Sequence, residues 1–139
     1  MNEKMQLAVS LLEDAGFSYS VEEGWEEGQV VKTIVFKKKS SEQPFAVAVR
    51  KEDRVSYKKI RVLVGDSVSP LSPEELLELG WVPGECCPLT INCELYVDKQ
   101  AIQPEKIHTG SGDKDFGLLY STNALLTIRP GLHVVDARE

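Results

Sequence analysis

Apolar positions come in two rhythms along this chain. Met5, Ala8, Val9, Leu12 and Ala15 recur every three or four residues and predict one amphipathic helix. Asn2 suits its N-cap and Gly16 its stop. Phe17 to Val21 then fits a short strand, and the acidic, glycine-punctuated run from Glu22 to Gly28 fits a loop. VVKTIVF, from Val30 to Phe36, is rich in β-branched residues and predicts a strand. FAVAVR, from Phe45 to Arg50, predicts its antiparallel partner across the polar connection KKKSSEQP, which gives a hairpin with a basic tip.

Helical spacing returns from Ser56 to Leu63, with Gly65 as the stop. Ser72, Pro73 and Glu75 carry the signature of a capped helix start, and Gly80 ends that helix. Strands are predicted at Glu94 to Val97, Ile107 to Thr109, Phe116 to Tyr120 and His133 to Ala137, with a helix capped by Thr122 running through Ile128. Short helices among many short strands with hairpin-like connections favour an α+β class: a mixed, mostly antiparallel sheet or open barrel. The length of 139 residues suits a single domain over residues 1–139.

Charge changes this picture. The net charge of -6 argues against a nucleic-acid partner, but residues 30–65 alone carry ten basic and three acidic side chains. The flanking segments are acidic. Such a segment makes a one-sided field that attracts phosphates, or it is merely a solvated hairpin and helix face. No apolar run approaches the ~20 residues of a membrane span. The charged residues Lys4, Glu13 and Asp14 argue against a signal peptide, and three cysteines suit a reduced, cytoplasmic setting.

The stretch GWVPGECCPL, Gly80 to Leu89, concentrates candidate chemistry. Cys86 and Cys87 are adjacent and Cys93 is six residues on, without the second pair that zinc sites use, and both histidines are distant. No metal or other cofactor is expected. A redox role is disfavoured because the pair follows a helix rather than opening one. One cysteine is expected to pack inward and the other to line a surface or pocket. A thiol–histidine pair from Cys87 and His108 stays open. Gly84 to Pro88 forms a GxxxP frame, in which glycine permits close approach and proline stiffens the exit. That loop either joins helix to strand or turns backbone N–H groups toward a carbonyl. Lys32 sits among apolar residues of its own strand face, beside Val30 and Ile34, as a snorkelling residue or as an ammonium aimed into a cleft.

In order, VVKTIVFK, FAVAV, VSYKKIRVLVG, SPEELLELGWVPGECCPL, ELYVD and IHTGSG resemble the YbaK / prolyl-tRNA-synthetase-associated domain family, over roughly Val30 to the C-terminus. The resemblance implies a YbaK-like editing hydrolase that deacylates mischarged aminoacyl-tRNA, of the Cys-tRNA(Pro) or Ala-tRNA(Pro) type. It implies Lys32 as the functional lysine at the acceptor end. It also implies a substrate site of Gly84, Glu85, Cys86, Cys87, Pro88, Asp98, Gly110, Ser111 and Gly112. The basic residues Lys37, Lys38, Lys39, Lys58 and Lys59 would carry tRNA phosphates. The partner implied is the acceptor end of aminoacyl-tRNA, with an aminoacyl-tRNA synthetase as a further candidate. No membrane partner is expected, and the protein would be a monomer or homodimer. An aminoacyl ester is already activated, so backbone N–H groups and positioning suffice, with a water or the substrate's own thiol as the attacking group.

The chain departs from the family twice. SYSVEEGWEEGQ before the lysine strand is short and acidic, which leaves Trp25 or Tyr19 as candidate pocket walls. The GxxxP loop carries Glu-Cys-Cys where small or hydroxylated residues are usual. A non-catalytic tRNA- or protein-binding module of the same fold is the alternative, and a thiol-dependent hydrolase is a third class.

Overall fold

The computed structural model describes residues 1–24 and 30–139. Helix α1 (Glu3–Asp14) begins where the Asn2 side chain accepts from the Met5 N–H. It ends in a Schellman turn: Phe17 N donates to Leu12 O and Gly16 N to Glu13 O, with Gly16 at φ +80°. Its buried face is Met5, Ala8, Val9 and Leu12. Met5, Val9 and Leu12 each contribute roughly 1.5–3 kcal/mol on burial, and the Ala8 methyl about 0.8 kcal/mol. Ala15, expected on that face, is instead the exposed C-cap, because the helix stops one residue before it.

The strands are β1 (Tyr19–Glu22), β2 (Val30–Lys38), β3 (Pro44–Arg50), β4 (Val68–Pro70), β5 (Glu94–Asp98), β6 (Lys106–Gly110), β7 (Gly117–Ser121) and β8 (His133–Val135). Helices α2 (Tyr57–Val64), α3 (Pro73–Glu78) and α4 (Thr122–Ile128) complete the fold. The sheet runs β1-β7-β6-β2-β3-β5-β8, with β4 attached to β2. It is an α+β arrangement with a mixed sheet. The β2–β3, β6–β7, β1–β7 and β2–β4 pairs are antiparallel, and β2–β6, β3–β5 and β5–β8 are parallel. Among the described residues no helix is long and apolar enough to cross a membrane.

Alternation along β2 and β3 feeds two cores. Val31, Val35, Ala46 and Ala48 join α1, α4 and the cysteine loop on one face. Phe36, Phe45, Val47 and Val49 join Ile60 of α2 on the other. At α3 the capping follows the sequence, with Ser72 and Glu75 in a reciprocal box; at α2 Ser56, expected as the first helical residue, is instead the N-cap and accepts from Lys59 N. At α4 the cap is one residue earlier than expected. Ser121 accepts from Asn123 N, while the Thr122 hydroxyl donates to the Pro104 carbonyl at 2.5 Å. Strand β4 has no counterpart in the sequence pattern, because its three residues VSP carry no alternation and are held by pairing with β2.

Candidate active site

A cavity of about 270 Å³ opens beside β2 and is lined by Val30, Val31, Lys32, Thr33, Lys51, Gly84, Glu85, Cys86 and Gly110. Its origin is a gap in the sheet. Lys51 N donates to Val30 O and Glu42 N to Lys38 O, so even-numbered residues of β2 turn their main chain toward β3. Odd-numbered residues turn theirs to the other flank, where Leu71 N donates to Val35 O and Lys39 N to Ser67 O. On that flank β6 pairs only as far as Val31↔Thr109, and β4 begins only at Phe36↔Pro70. The Thr33 main chain faces the interval between them. The Thr33 hydroxyl is also buried there without a hydrogen-bond partner among the described residues.

The wall opposite β2 is the loop after α3. Helix α3 ends with Trp81 N donating to Leu76 O and Gly80 N to Leu77 O. A turn follows in which Glu85 N donates to Val82 O, with Gly84 at φ +82°, a conformation that glycine adopts without strain. The Glu85 amide is thereby consumed. The N–H groups of Gly84, Cys86 and Cys87 donate to no backbone carbonyl among the described residues. The loop is then pinned from both sides. Gly112 N donates to Glu85 O at 2.8 Å. A Cβ on Gly110 would stand 2.8 Å from Cys86 O and 3.0 Å from Glu85 O, so only glycine lets β6 come this near. Arg129, at the end of α4, donates to the carbonyls of Pro88, Ile91 and Cys93.

Lys32 therefore shares one cavity with Gly84, Glu85, Cys86 and Gly110. The other expected substrate residues lie around it. Cys87 and Pro88 are buried in the core behind the loop. The Ser111 hydroxyl donates to Phe116 O at 2.7 Å and accepts from Asp113 N, shaping the turn after β6. Gly112 touches the loop through its amide. Asp98 is not at the cavity: it is fully buried at the end of β5, where its carboxylate accepts from Ala137 N at 2.8 Å and Gln100 N at 3.0 Å. Tyr19 lies elsewhere, its hydroxyl donating to Glu13. Trp25 falls outside the described residues.

Electrostatics divide the cavity. Lys32 and Lys51 stand on the β2 and β3 side. Glu85 stands on the loop side, and burial, then Asp113 and Asp115, push its carboxyl up to about 7. Its Oε2 is buried with no hydrogen-bond partner among the described residues. Burial also pushes the thiols of Cys86, Cys87 and Cys93 up to about 11, which removes the thiolate a nucleophile or redox centre needs. No group of three metal-ligating side chains occurs among the described residues.

The expected phosphate-binding lysines separate into two sets. Lys37 is paired with Glu75 at 2.7 Å and Lys59 with Asp136 at 3.0 Å, which neutralises both locally. Lys38, Lys39 and Lys58 form no ion pair among the described residues. Lys37 is five residues from Lys32, or roughly 17 Å along an extended strand, so the basic tip is distant from the cavity. Sequence reasoning missed Thr33 and Lys51 as lining residues; the signal available was the KT pair on β2 and the basic residue just after β3. It also missed Arg129, whose role depends on a loop forty residues away.

An open-sheeted α+β fold with a lysine and a glycine-framed loop at one cleft defines the class. The sequence matches the aminoacyl-tRNA editing domain over residues 18–128, and the chain belongs to that family. A search of curated proteins gave no match. Solved structures share the fold. One is a candidate trans-editing enzyme for prolyl-tRNA synthetase, at 21% identity and TM-score 0.82, covering 100% of this chain and 99% of that one. Another is a scaffold used for epitope backbone grafting by computational design, at 20% identity and TM-score 0.83, with coverage of 100% and 99%. A third is a candidate signal transduction protein from Marinobacter aquaeolei VT8, at 14% identity and TM-score 0.77, of which the match spans 30% against 95% of this chain.

Proposed function

We propose that this protein is a trans-editing hydrolase that deacylates mischarged aminoacyl-tRNA, of the cysteinyl- or alanyl-tRNA(Pro) type. The observation that carries the reading is the shared cavity of Lys32 and the Gly84–Cys86 loop, in a chain of the editing-domain family. Lys32 binds the terminal phosphate and ribose of the acceptor end. The Gly84 and Cys86 amides receive the carbonyl oxygen as it becomes an oxyanion, and they are preorganised because Gly110, Gly112 and Arg129 fix the loop. The attacking oxygen comes from water. The ester's ribose oxygen leaves and takes a proton, giving free amino acid and free tRNA. Among the predicted phosphate ligands Lys38, Lys39 and Lys58 serve the stem, since their charge is not spent on a partner.

The test is deacylation of cysteinyl-, alanyl- and seryl-tRNA(Pro) by the protein and by Lys32→Ala. Hydrolysis of at least one substrate, with a loss on the order of a hundredfold in the variant, is expected. An inert wild type, or a variant as fast as wild type, sinks the reading.

A further inference from the structure

The cavity keeps opposite charges apart. Lys32 and Lys51 line one side and Glu85 the other, yet neither lysine lies within ion-pair distance of Glu85. A half-buried carboxylate normally takes a cation or hydrogen-bond donors, because an unpaired one loses solvation without return. Glu85 has neither among the described residues: no ion pair, no hydrogen bond, and one oxygen sealed from solvent. Asp113 and Asp115 are near enough to deepen the negative potential at Glu85. They do not form a metal cage with it. Both Asp113 oxygens are occupied, Oδ2 by Asn2 N at 2.9 Å and Oδ1 by Asp115 N at 3.0 Å. The acidic corner is thus a fixed field with one unsatisfied ligand, Glu85.

An aminoacyl ester on the tRNA terminus has the complementary polarity. Its nucleotide end carries phosphate, its acyl end carries an α-ammonium, and the ester carbon lies between them. With phosphate toward Lys32 and Lys51, the ammonium falls on the Glu85 side, and the carbonyl lies along the loop amides.

We propose that Glu85 is a specificity residue that receives the α-ammonium of the aminoacyl group. This rests on the editing reading above for its substrate. It predicts that the protein tells a free aminoacyl-tRNA from one whose amine is acylated. An N-acyl group removes the positive charge and leaves the carboxylate unpaired against a neutral amide, the arrangement that sites built for a charged partner reject most strongly.

The experiment has two arms, each run with wild type and Glu85→Gln, an isosteric change whose fold is checked by circular dichroism. In the first, alanyl-tRNA(Pro) and N-acetylalanyl-tRNA(Pro) are compared as substrates. Wild type is expected to favour the free amine by on the order of tenfold or more, and Glu85→Gln to lose that preference by slowing only the free-amine substrate. In the second, 3′-alanylamino-3′-deoxyadenosine and its N-acetyl derivative, which carry an amide in place of the ester, are titrated into the protein. Wild type is expected to bind the free amine more tightly and Glu85→Gln to bind both alike. Equal rates on both wild-type substrates, or equal slowing of both by Glu85→Gln, overturn the proposal while the editing reading stands. An inactive wild type that still binds the free amine through Glu85 overturns the editing reading and keeps this one. Equal or absent binding of the two analogues overturns it.

Discussion

The Gly112 amide donates to the Glu85 carbonyl at 2.8 Å, and through that bond the end of β6 fixes the loop that walls the cavity. The bond occupies the Glu85 carbonyl, while the neighbouring Gly84, Cys86 and Cys87 amides donate to no backbone carbonyl among the described residues. Gly110, two residues earlier, makes the approach possible by having no side chain.

Gly110→Ala is therefore expected to push the loop off β6. Its Cβ would meet main-chain atoms, which cannot rotate away. Overpacking of this kind costs about 1–3 kcal/mol. Urea unfolding should register that loss, and deacylation should fall further than stability alone explains, because the oxyanion amides move with the loop. A variant as stable and active as wild type would show that the contact is dispensable.

Arg129→Met should destabilise by on the order of 2–3 kcal/mol, since the carbonyls of Pro88, Ile91 and Cys93 lose a charged donor at once. Arg129→Lys is expected to rescue only part of this, because a single ammonium does not match the planar fork that serves the three carbonyls. Denaturation midpoints of the two variants separate the loss of charge from the loss of geometry.

Asp98→Ala is expected to lower stability and to leave the chemistry of correctly folded molecules intact. The carboxylate ties the end of β5 to Ala137 N and Gln100 N, and its loss leaves buried donors unpaired. KM and kcat per folded molecule, measured well below the melting temperature, should match wild type. A selective loss of kcat would instead place Asp98 in the chemistry.

Glu85 gives stability a pH dependence of definite sign. Its carboxyl rises from 4.5 to about 7 on folding, so the folded protein holds this proton more tightly than the unfolded chain. Its contribution is greatest below pH 4.5 and is lost as pH rises through about 7. The groups around it are Asp113 and Asp115, whose charges act on it, Lys32 and Lys51 across the cavity, and Cys86 next to it in the chain, whose raised thiol stays neutral in this range. Glu85→Gln should flatten the unfolding free energy between these limits relative to wild type. An unchanged slope in the variant would show that another group titrates there.

The three thiols, all pushed up to about 11, should alkylate slowly with iodoacetamide at neutral pH in the folded protein and quickly once unfolded. Deacylation should survive Cys86→Ala and Cys93→Ala. Complete loss in Cys86→Ala, with the fold intact, would return the thiol to the mechanism.

Local rules were enough for much of the framework. The Asn2 and Ser72 caps, the Gly16, Gly65 and Gly80 stops, and the β2–β3 hairpin follow from short-range chemistry: side chains that satisfy the first amides, glycines that turn left-handed, and runs of β-branched and apolar residues on either side of a polar turn. The order of the Lys32 strand and the glycine–proline loop was equally legible, and the family follows from it. Long-range geometry decided the rest. Strand β4 exists only because β2 offers an edge. The cavity exists only because β6 and β4 both stop short of Thr33. Asp98 matched a motif, yet its strand end lies against Ala137 rather than beside Lys32, a placement no spacing rule contains. Glu85 looked like an odd substitution in a loop. Its meaning comes from a cavity wall, two carboxylates from another turn, and two lysines held out of reach, all brought together by folding.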